Sequence, residues 1–394
     1  MTLTKCSGRD AISGDRIAIE FDDVVQHLNP AFSDEIADDE YIAPGFIDIQ
    51  INGFAGVDYN SAEAPHEEIA RSLQAMFSTG VTRCFPTVIT GDPEKMLAAL
   101  RNLAAAREAL HDGPAMEAFH VEGPHISPED GPRGAHPQRW VRPPDLNEYK
   151  RWQEATDGRV RLVTLSPEWP EALPYIEALS RDGVVISIGH TAATAEQIQD
   201  AVSAGAMLST HIGNGAHSVM PRHPNYIWEQ LAEDRLNASM IVDGIHLGKA
   251  FLKVALRAKG VERSVLITDA VMPAMCKPGR YMLGEVEVEL HEDQSVRMAG
   301  GTRLAGSSLR MDRAVGNVMK IAGLTLAEAI TMATTNAARA GRVGGRIRGL
   351  QPGSRADVVK FRMADGSIEV LESYLSGRRV YFRAEGKVAA DEHG

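Results

Sequence analysis

Cysteine is scarce in this chain. Cys6, Cys84 and Cys276 are the only three in 394 residues, widely separated and without metal-type spacing. An odd, sparse count fits a reducing compartment and argues against a disulfide framework. Long apolar runs are missing too. No stretch approaches the roughly 20 apolar residues that a membrane span requires, and the start, Met1 to Cys6, lacks the apolar core of a secretion signal. Positive charge is in the minority, with 41 Lys and Arg against 53 Asp and Glu, a formal net charge of −12. That balance argues against nucleic-acid and anionic-membrane partners. It leaves an anionic small molecule open, because a local cluster of Arg, His and backbone N–H groups can hold a phosphate. The expected location is cytoplasmic.

What is present is ordinary for a globular protein: 44% apolar and 24% charged residues. The length suits one large barrel of about 250 residues with a smaller appended unit. Both ends look β-rich. Ile17 to Phe21 lies near the start, and Ala356 to Phe361 and Arg379 to Phe382 lie near the end. We expect residues 1–43 and 350–385 to pair into a small β-sandwich domain, residues 44–349 to form the main domain, and 386–394 to be a loose tail.

The middle alternates. Eight short apolar or β-branched runs occur at 45–49, 82–88, 116–121, 160–165, 184–188, 206–210, 239–242 and 265–268. Between most of them apolar residues recur at helical spacing, as at Ile69, Leu73, Met76, Phe77 and at Ile198, Val202. Asp92-Pro93 reads as an N-cap followed by proline. Thr194 to Gln197 and Thr325 to Glu328 read as capping boxes. Eight strands alternating with helices predict an α/β fold, a closed (β/α)8 TIM-type barrel. The Pro-, Gly- and Arg-rich stretch from Pro124 to Pro144 reads as a long loop over a site.

Barrel enzymes carry their chemistry at the C-terminal ends of the strands, and five runs here end in suitable residues. The third ends at Glu122, the fifth at His190, the sixth at His211, the seventh in Asp243-Gly244-Ile245-His246 and the eighth at Asp269. A carboxylate and two imidazoles bind a zinc-like ion while leaving a position for water, which then becomes acidic near neutral pH. A free carboxylate at Asp269 suits proton transfer to a leaving amine. Any one of these histidines alone would more often be a packed or capping residue, and Asp269 alone could cap a loop. Their joint placement at strand ends favours function. His66, His111, His291 and His393 lie in polar stretches and read as solvated. His125 and His217 lie near the candidate site without an assigned role.

Taken together, Pro44-Gly45-Phe46-Ile47-Asp48, Val121-Glu122-Gly123-Pro124, Gly189-His190-Thr191, Thr210-His211, Asp243-Gly244-Ile245-His246, Thr268-Asp269-Ala270 and Leu304-Ala305-Gly306-Ser307 form an ordered set. The set resembles the N-acetylglucosamine-6-phosphate deacetylases of the amidohydrolase superfamily, over roughly residues 40 to 385. The resemblance implies metal ligation by Glu122, His190 and His211, with one divalent ion expected: zinc first, with iron, cobalt or manganese as alternatives. It implies an acid/base role for Asp269 and a carbonyl-polarising, sugar-contacting role for His246. Ala135-His136, Asn214, Gly215 and the loop Leu304-Ala305-Gly306 match substrate-facing segments. Arg222 matches a phosphate-binding arginine supplied by a neighbouring subunit, so a homodimer is expected.

Departures cluster around the expected phosphate. The second-metal histidines of many amidohydrolases are replaced by Gln50 and Asn52, whose amides are poor zinc ligands; they are assigned to a second site or to positioning water. Asn214-Gly215-Ala216 stands for Asn-Ala-Met, and Arg222-His223-Pro224-Asn225 for Arg-Glu-Pro-Gly. The implied reaction is hydrolytic deacetylation of an N-acetylated amino-sugar 6-phosphate. The alternatives are a related amide (N-acetylgalactosamine 6-phosphate, an N-acyl amino acid or a cyclic amide) or a non-catalytic sugar-phosphate-binding barrel.

Overall fold

The computed structural model describes residues 3–31, 36–364 and 366–384. The expected tail at 386–394 lies outside them. Each of the eight predicted runs forms a strand, here β1 (Phe46–Ile51), β2 (Val81–Ile89), β3 (Phe119–Glu122), β4 (Val160–Leu165), β5 (Val185–Ile188), β6 (Ala206–Ser209), β7 (Asn237–Ile241) and β8 (Ser264–Ile267). All pair in parallel and in sequence order. The ring closes where Asp269 N donates to Gln50 O at 3.0 Å and the buried Asp48 carboxylate accepts from Thr268 N at 3.2 Å. Nearly every strand residue is buried. Helices on one side and the barrel interior on the other explain why these runs read as continuously apolar rather than alternating.

Helices fill the gaps as their start signals predict. The Asp92 carboxylate accepts from Glu94 N and Lys95 N, and both capping boxes, Thr194 with Gln197 and Thr325 with Glu328, are formed. In the helix His66–Phe77 the apolar stripe Ile69, Leu73, Met76, Phe77 is the buried face.

The termini form one seven-stranded sheet from Thr4–Asp10, Arg16–Phe21, Val25–Pro30, Glu40–Pro44, Val358–Ala364, Ser367–Leu375 and Arg378–Phe382. Phe21 meets Tyr374 edge to face, with ring centroids 5.2 Å apart, although three strands separate theirs in the sheet. Contact at that separation requires the sheet to fold back into two facing layers, a small sandwich of the expected kind. A buried ion cluster ties this unit to the barrel. Asp357 accepts from Arg83 Nε at 2.8 Å and from an Arg346 guanidinium nitrogen at 2.6 Å. Gly45, at the junction, has no alternative: a Cβ there would lie 2.3 Å from Thr82 Oγ1.

One element was not anticipated. After β8 the chain forms a four-stranded antiparallel sheet from Gly279–Leu283, Val286–Leu290, Ser295–Met298 and Leu304–Ser307. The strict alternation of Val286-Glu287-Val288-Glu289-Leu290 is its sequence mark. Leu304-Ala305-Gly306, expected as a loop, is therefore part of a strand.

Candidate active site

Three of the strand-end residues share an unusual backbone. His190, His211 and Asp269 have φ of 49°, 30° and 50°, in the left-handed region that non-glycine residues rarely occupy. Such conformations cost on the order of 1–3 kcal/mol each and persist only where surrounding structure holds them. Here they accompany side chains that line one cleft at the C-terminal end of the barrel.

At the base of the cleft, Glu122 Oε1 lies 2.9 Å from His211 Nε2 and 3.2 Å from His190 Nε2, and the two imidazole nitrogens are 3.1 Å apart. His190 Nδ1 sits 2.8 Å from the carbonyl oxygen of Pro132 and must donate to it, so the neutral ring would turn its Nε2 lone pair toward a cation bound here. Three donor atoms converging within about one hydrogen-bond length, one of them carboxylate, form a donor set suited to a divalent cation. The residues fit such an ion. A looser grouping brings Glu122, His136 and His190 within 4.8 Å of one another. We favour His211 as the third member because its nitrogen is closer, and because His136 Nδ1 is engaged by Thr90 Oγ1 at 2.8 Å.

Charge and burial compete in the cluster. Burial raises the Glu122 carboxyl, but the hydrogen bonds to His190 and His211 outweigh it and hold the group well below the usual carboxylate range. Burial pushes the Asp269 carboxyl up, and the neighbouring Glu122 charge adds to it, to about 6. Burial lowers His136 to about 3, with the His190 charge next in importance.

Gln50 and Asn52 have a definite place. Gln50 Nε2 donates to Glu122 Oε1 at 2.9 Å and to Asp269 Oδ1 at 3.2 Å, and Asn52 Nδ2 donates to Asp269 Oδ1 at 2.6 Å. Two amides thus engage the same oxygen of Asp269. His246 is oriented by Asp243, which accepts from Nδ1 at 2.6 Å and from the backbone of Ile245 and His246.

Of the residues expected to contact substrate, Ala135, His136, Asn214, Gly215, His246, Leu304, Ala305 and Gly306 all line this cleft. Gly215 lies against His190, where a Cβ would come within 2.7 Å of Nδ1. Arg222 is not brought in. It is exposed on the bend before the helix Tyr226–Ala232, and no Lys or Arg lines the cleft among the described residues. His125 packs between Trp152 and Tyr175 away from the cleft, and His217 pairs with Glu129 at 3.2 Å.

Sequence reasoning missed two positioning groups. Arg303 donates to Gly134 O at 3.1 Å and to the Asp130 carboxylate at 2.9 Å, holding the Ala135-His136 segment. Glu168 accepts from Ala192 N at 2.9 Å and from Ser127 Oγ at 3.2 Å, bracing the chain beside His190. Neither carries a local motif, so only the fold could show them.

A (β/α)8 barrel with a small β unit, and with a carboxylate and imidazoles converging at its strand ends, defines a metal-dependent hydrolase of amide bonds. The chain belongs to the amidohydrolase family, whose model matches residues 41–379. It is 32% identical to N-acetylglucosamine-6-phosphate deacetylase of Lysinibacillus sphaericus, covering 86% of this chain and 87% of that one. It is 33% identical to N-acetylgalactosamine-6-phosphate deacetylase of Escherichia coli O157:H7, covering 88% and 89%. Among solved structures, a point mutant of N-acetyl-D-glucosamine-6-phosphate deacetylase from Mycobacterium smegmatis, in complex with N-acetyl-D-glucosamine-6-phosphate, matches with a TM-score of 0.87. It is 29% identical and covers 96% of this chain and 100% of that one. Among the described residues no helix is long and apolar enough to cross a membrane.

Proposed function

We propose that this protein removes the acetyl group from an N-acetylated amino-sugar 6-phosphate, most directly N-acetyl-D-glucosamine 6-phosphate, releasing acetate and the free amine. The observation that carries the reading is the convergence of Glu122, His190 and His211 on one point with Asp269 beside it. Glu122, His190 and His211 would hold one divalent cation, which supplies Lewis acidity and lowers the pKa of water. Zinc suits one oxygen and two nitrogen donors, with iron, cobalt or manganese as the alternatives.

The chain's own residues do the rest. Asn52 and Gln50 fix Asp269 through Oδ1, which leaves Oδ2 to take a proton from the attacking water and deliver it to the departing nitrogen. His246, its Nδ1 committed to Asp243, has only Nε2 to offer the acetyl carbonyl oxygen as charge develops there. His136, Asn214, Gly215 and the strand Leu304–Ser307 shape the sugar site. Among the described residues no Lys or Arg lines the cleft, and the phosphate's cation is assigned to Arg222 of a second copy in a homodimer, as the family resemblance implies. Three free cysteines fit a cytoplasmic setting.

A second reading, the galactosamine epimer, is favoured by the comparable identity to the Escherichia coli enzyme. The test is acetate release from both epimers, each with and without phosphate, alongside elemental analysis of the purified protein. Turnover confined to phosphorylated sugars is expected. No acetate release from metal-loaded protein would point to a binding role instead. Arg222→Ala should raise KM about tenfold or more for the phosphorylated sugar, the worth of one charge-assisted contact, with metal content unchanged.

A further inference from the structure

The four-stranded insert sends a hairpin tip between two cavities. Ile89, Leu283 and Val286 line the catalytic cleft on one side and a second cavity on the other, which continues past Met96, Pro137 and Trp140. The tip is the turn Gly284-Glu285, with Leu283 paired to Val286. It is clasped from three segments of the barrel domain. The Glu285 carboxylate receives Lys95 Nζ at 2.7 Å, Trp140 Nε1 at 3.3 Å and the Arg139 guanidinium, and Gly284 N donates to Asp58 Oδ2 at 2.7 Å.

The position of this wall relative to the chemistry follows from strand register. Ile89 pairs with Glu122 across β2 and β3, so the wall stands beside the carboxylate where the scissile carbonyl must sit. Asn214, Gly215 and His246, which follow β6 and β7, line the same cleft. In an N-acyl hexosamine 6-phosphate the acyl group on C2 and the phosphate on C6 lie at opposite ends of the sugar ring. With its carbonyl between the Glu122 cluster and His246, the acyl group's alkyl end meets the apolar lining beside the Glu122 strand, which includes Ile89, Leu283 and Val286. That wall is apolar, as an alkyl group requires.

We infer that Leu283 and Val286, held in place by Glu285, form the end wall of an acyl subsite and set the length of acyl chain the enzyme removes. Cutting the wall back opens the second cavity to longer chains. The inference rests on the deacetylase reading. Its chemistry is unchanged: water adds to the acyl carbon, the C–N bond breaks, and a proton passes to nitrogen, giving a longer carboxylate and the same amine.

The experiment compares kcat/KM for N-acetyl-, N-propanoyl-, N-butanoyl- and N-hexanoyl-glucosamine 6-phosphate. The proteins are wild type, Leu283→Ala, Val286→Ala, Glu285→Gln and Leu283→Ala combined with Gly91→Leu. Gly91 lines the second cavity, and a Cβ there makes only ordinary contacts, 3.5 Å from Met96. The butanoyl-to-acetyl ratio should rise about tenfold or more in the two alanine variants, since one or two methylenes in a pocket discriminate on that scale. It should rise in the same direction in Glu285→Gln, and Gly91→Leu should reverse the Leu283→Ala gain. Glu285→Gln is a near-isosteric surface change, so it keeps the test available where an alanine variant folds poorly. An unchanged ratio, or a gain that Gly91→Leu leaves intact, overturns the wall while N-acetyl turnover still stands. Absence of wild-type turnover on all four sugars overturns the deacetylase reading, and the wall with it.

Discussion

Asp269 shows how much one side chain owes to its neighbours. Two amides fix its Oδ1, and the strained backbone at φ 50° turns it from the end of β8 into the cleft. Asp269→Asn keeps the shape but loses the proton. Turnover should fall by about 10²–10⁴, the usual worth of a general acid/base, while elemental analysis finds the metal content unchanged. Glu122, His190, His211 and Asp269, which the structure brings together in one cleft, were legible in the sequence because each follows an apolar run at a strand's C-terminal end. Glu168, Arg303 and Glu285 were not legible. Their partners lie far away in the chain, and a lone charged residue carries no mark of what it will meet.

Among the elements, the eight strands and their capped helices announce themselves through periodicity, and their bounds in the structure differ from the reading by only a few residues. The insert after β8 escaped because it interrupts the alternation that made the barrel recognisable, although its own alternation was on view. It matters to the site through Arg303, which ties it to the loop from Pro124 to Pro144. Arg303 is about half exposed, so its worth is at the lower end for charged hydrogen bonds, about 1 kcal/mol. Arg303→Ala should raise KM about fivefold and speed proteolytic cutting in that loop, with metal content unaltered.

For the molecule as a whole, the cluster of Asp357 with Arg83 and Arg346 is the joint between barrel and sheet. Burial by itself would raise the Asp357 carboxyl, but the Arg346 and Arg83 charges and hydrogen bonds overcome it and hold the group far below the ordinary carboxylate range. A pKa depressed in the folded state contributes stability that is fully present above the unfolded value, about 3.9, and is lost as pH falls below it. Asp357→Asn leaves two buried guanidinium groups short of a partner. It should cost about 3–5 kcal/mol at neutral pH, seen as a lower Tm, and should flatten the loss of stability below about pH 4. From sequence, the Ala356-Asp357-Val358 run marked a return to the small domain, but the arginines that receive Asp357 lie 274 and 11 positions away and gave no sign of it.

The seam of the small sheet has a consequence for how the protein is made. Glu40–Pro44 pairs along its length with Val358–Ala364. On a ribosome the first of these strands emerges long before the second has been translated. Its edge and its apolar side chains must wait through the synthesis of the entire barrel. This strand therefore appears well before its partner, and a nascent chain stalled before residue 358 would display an unpaired β edge open to association with other chains.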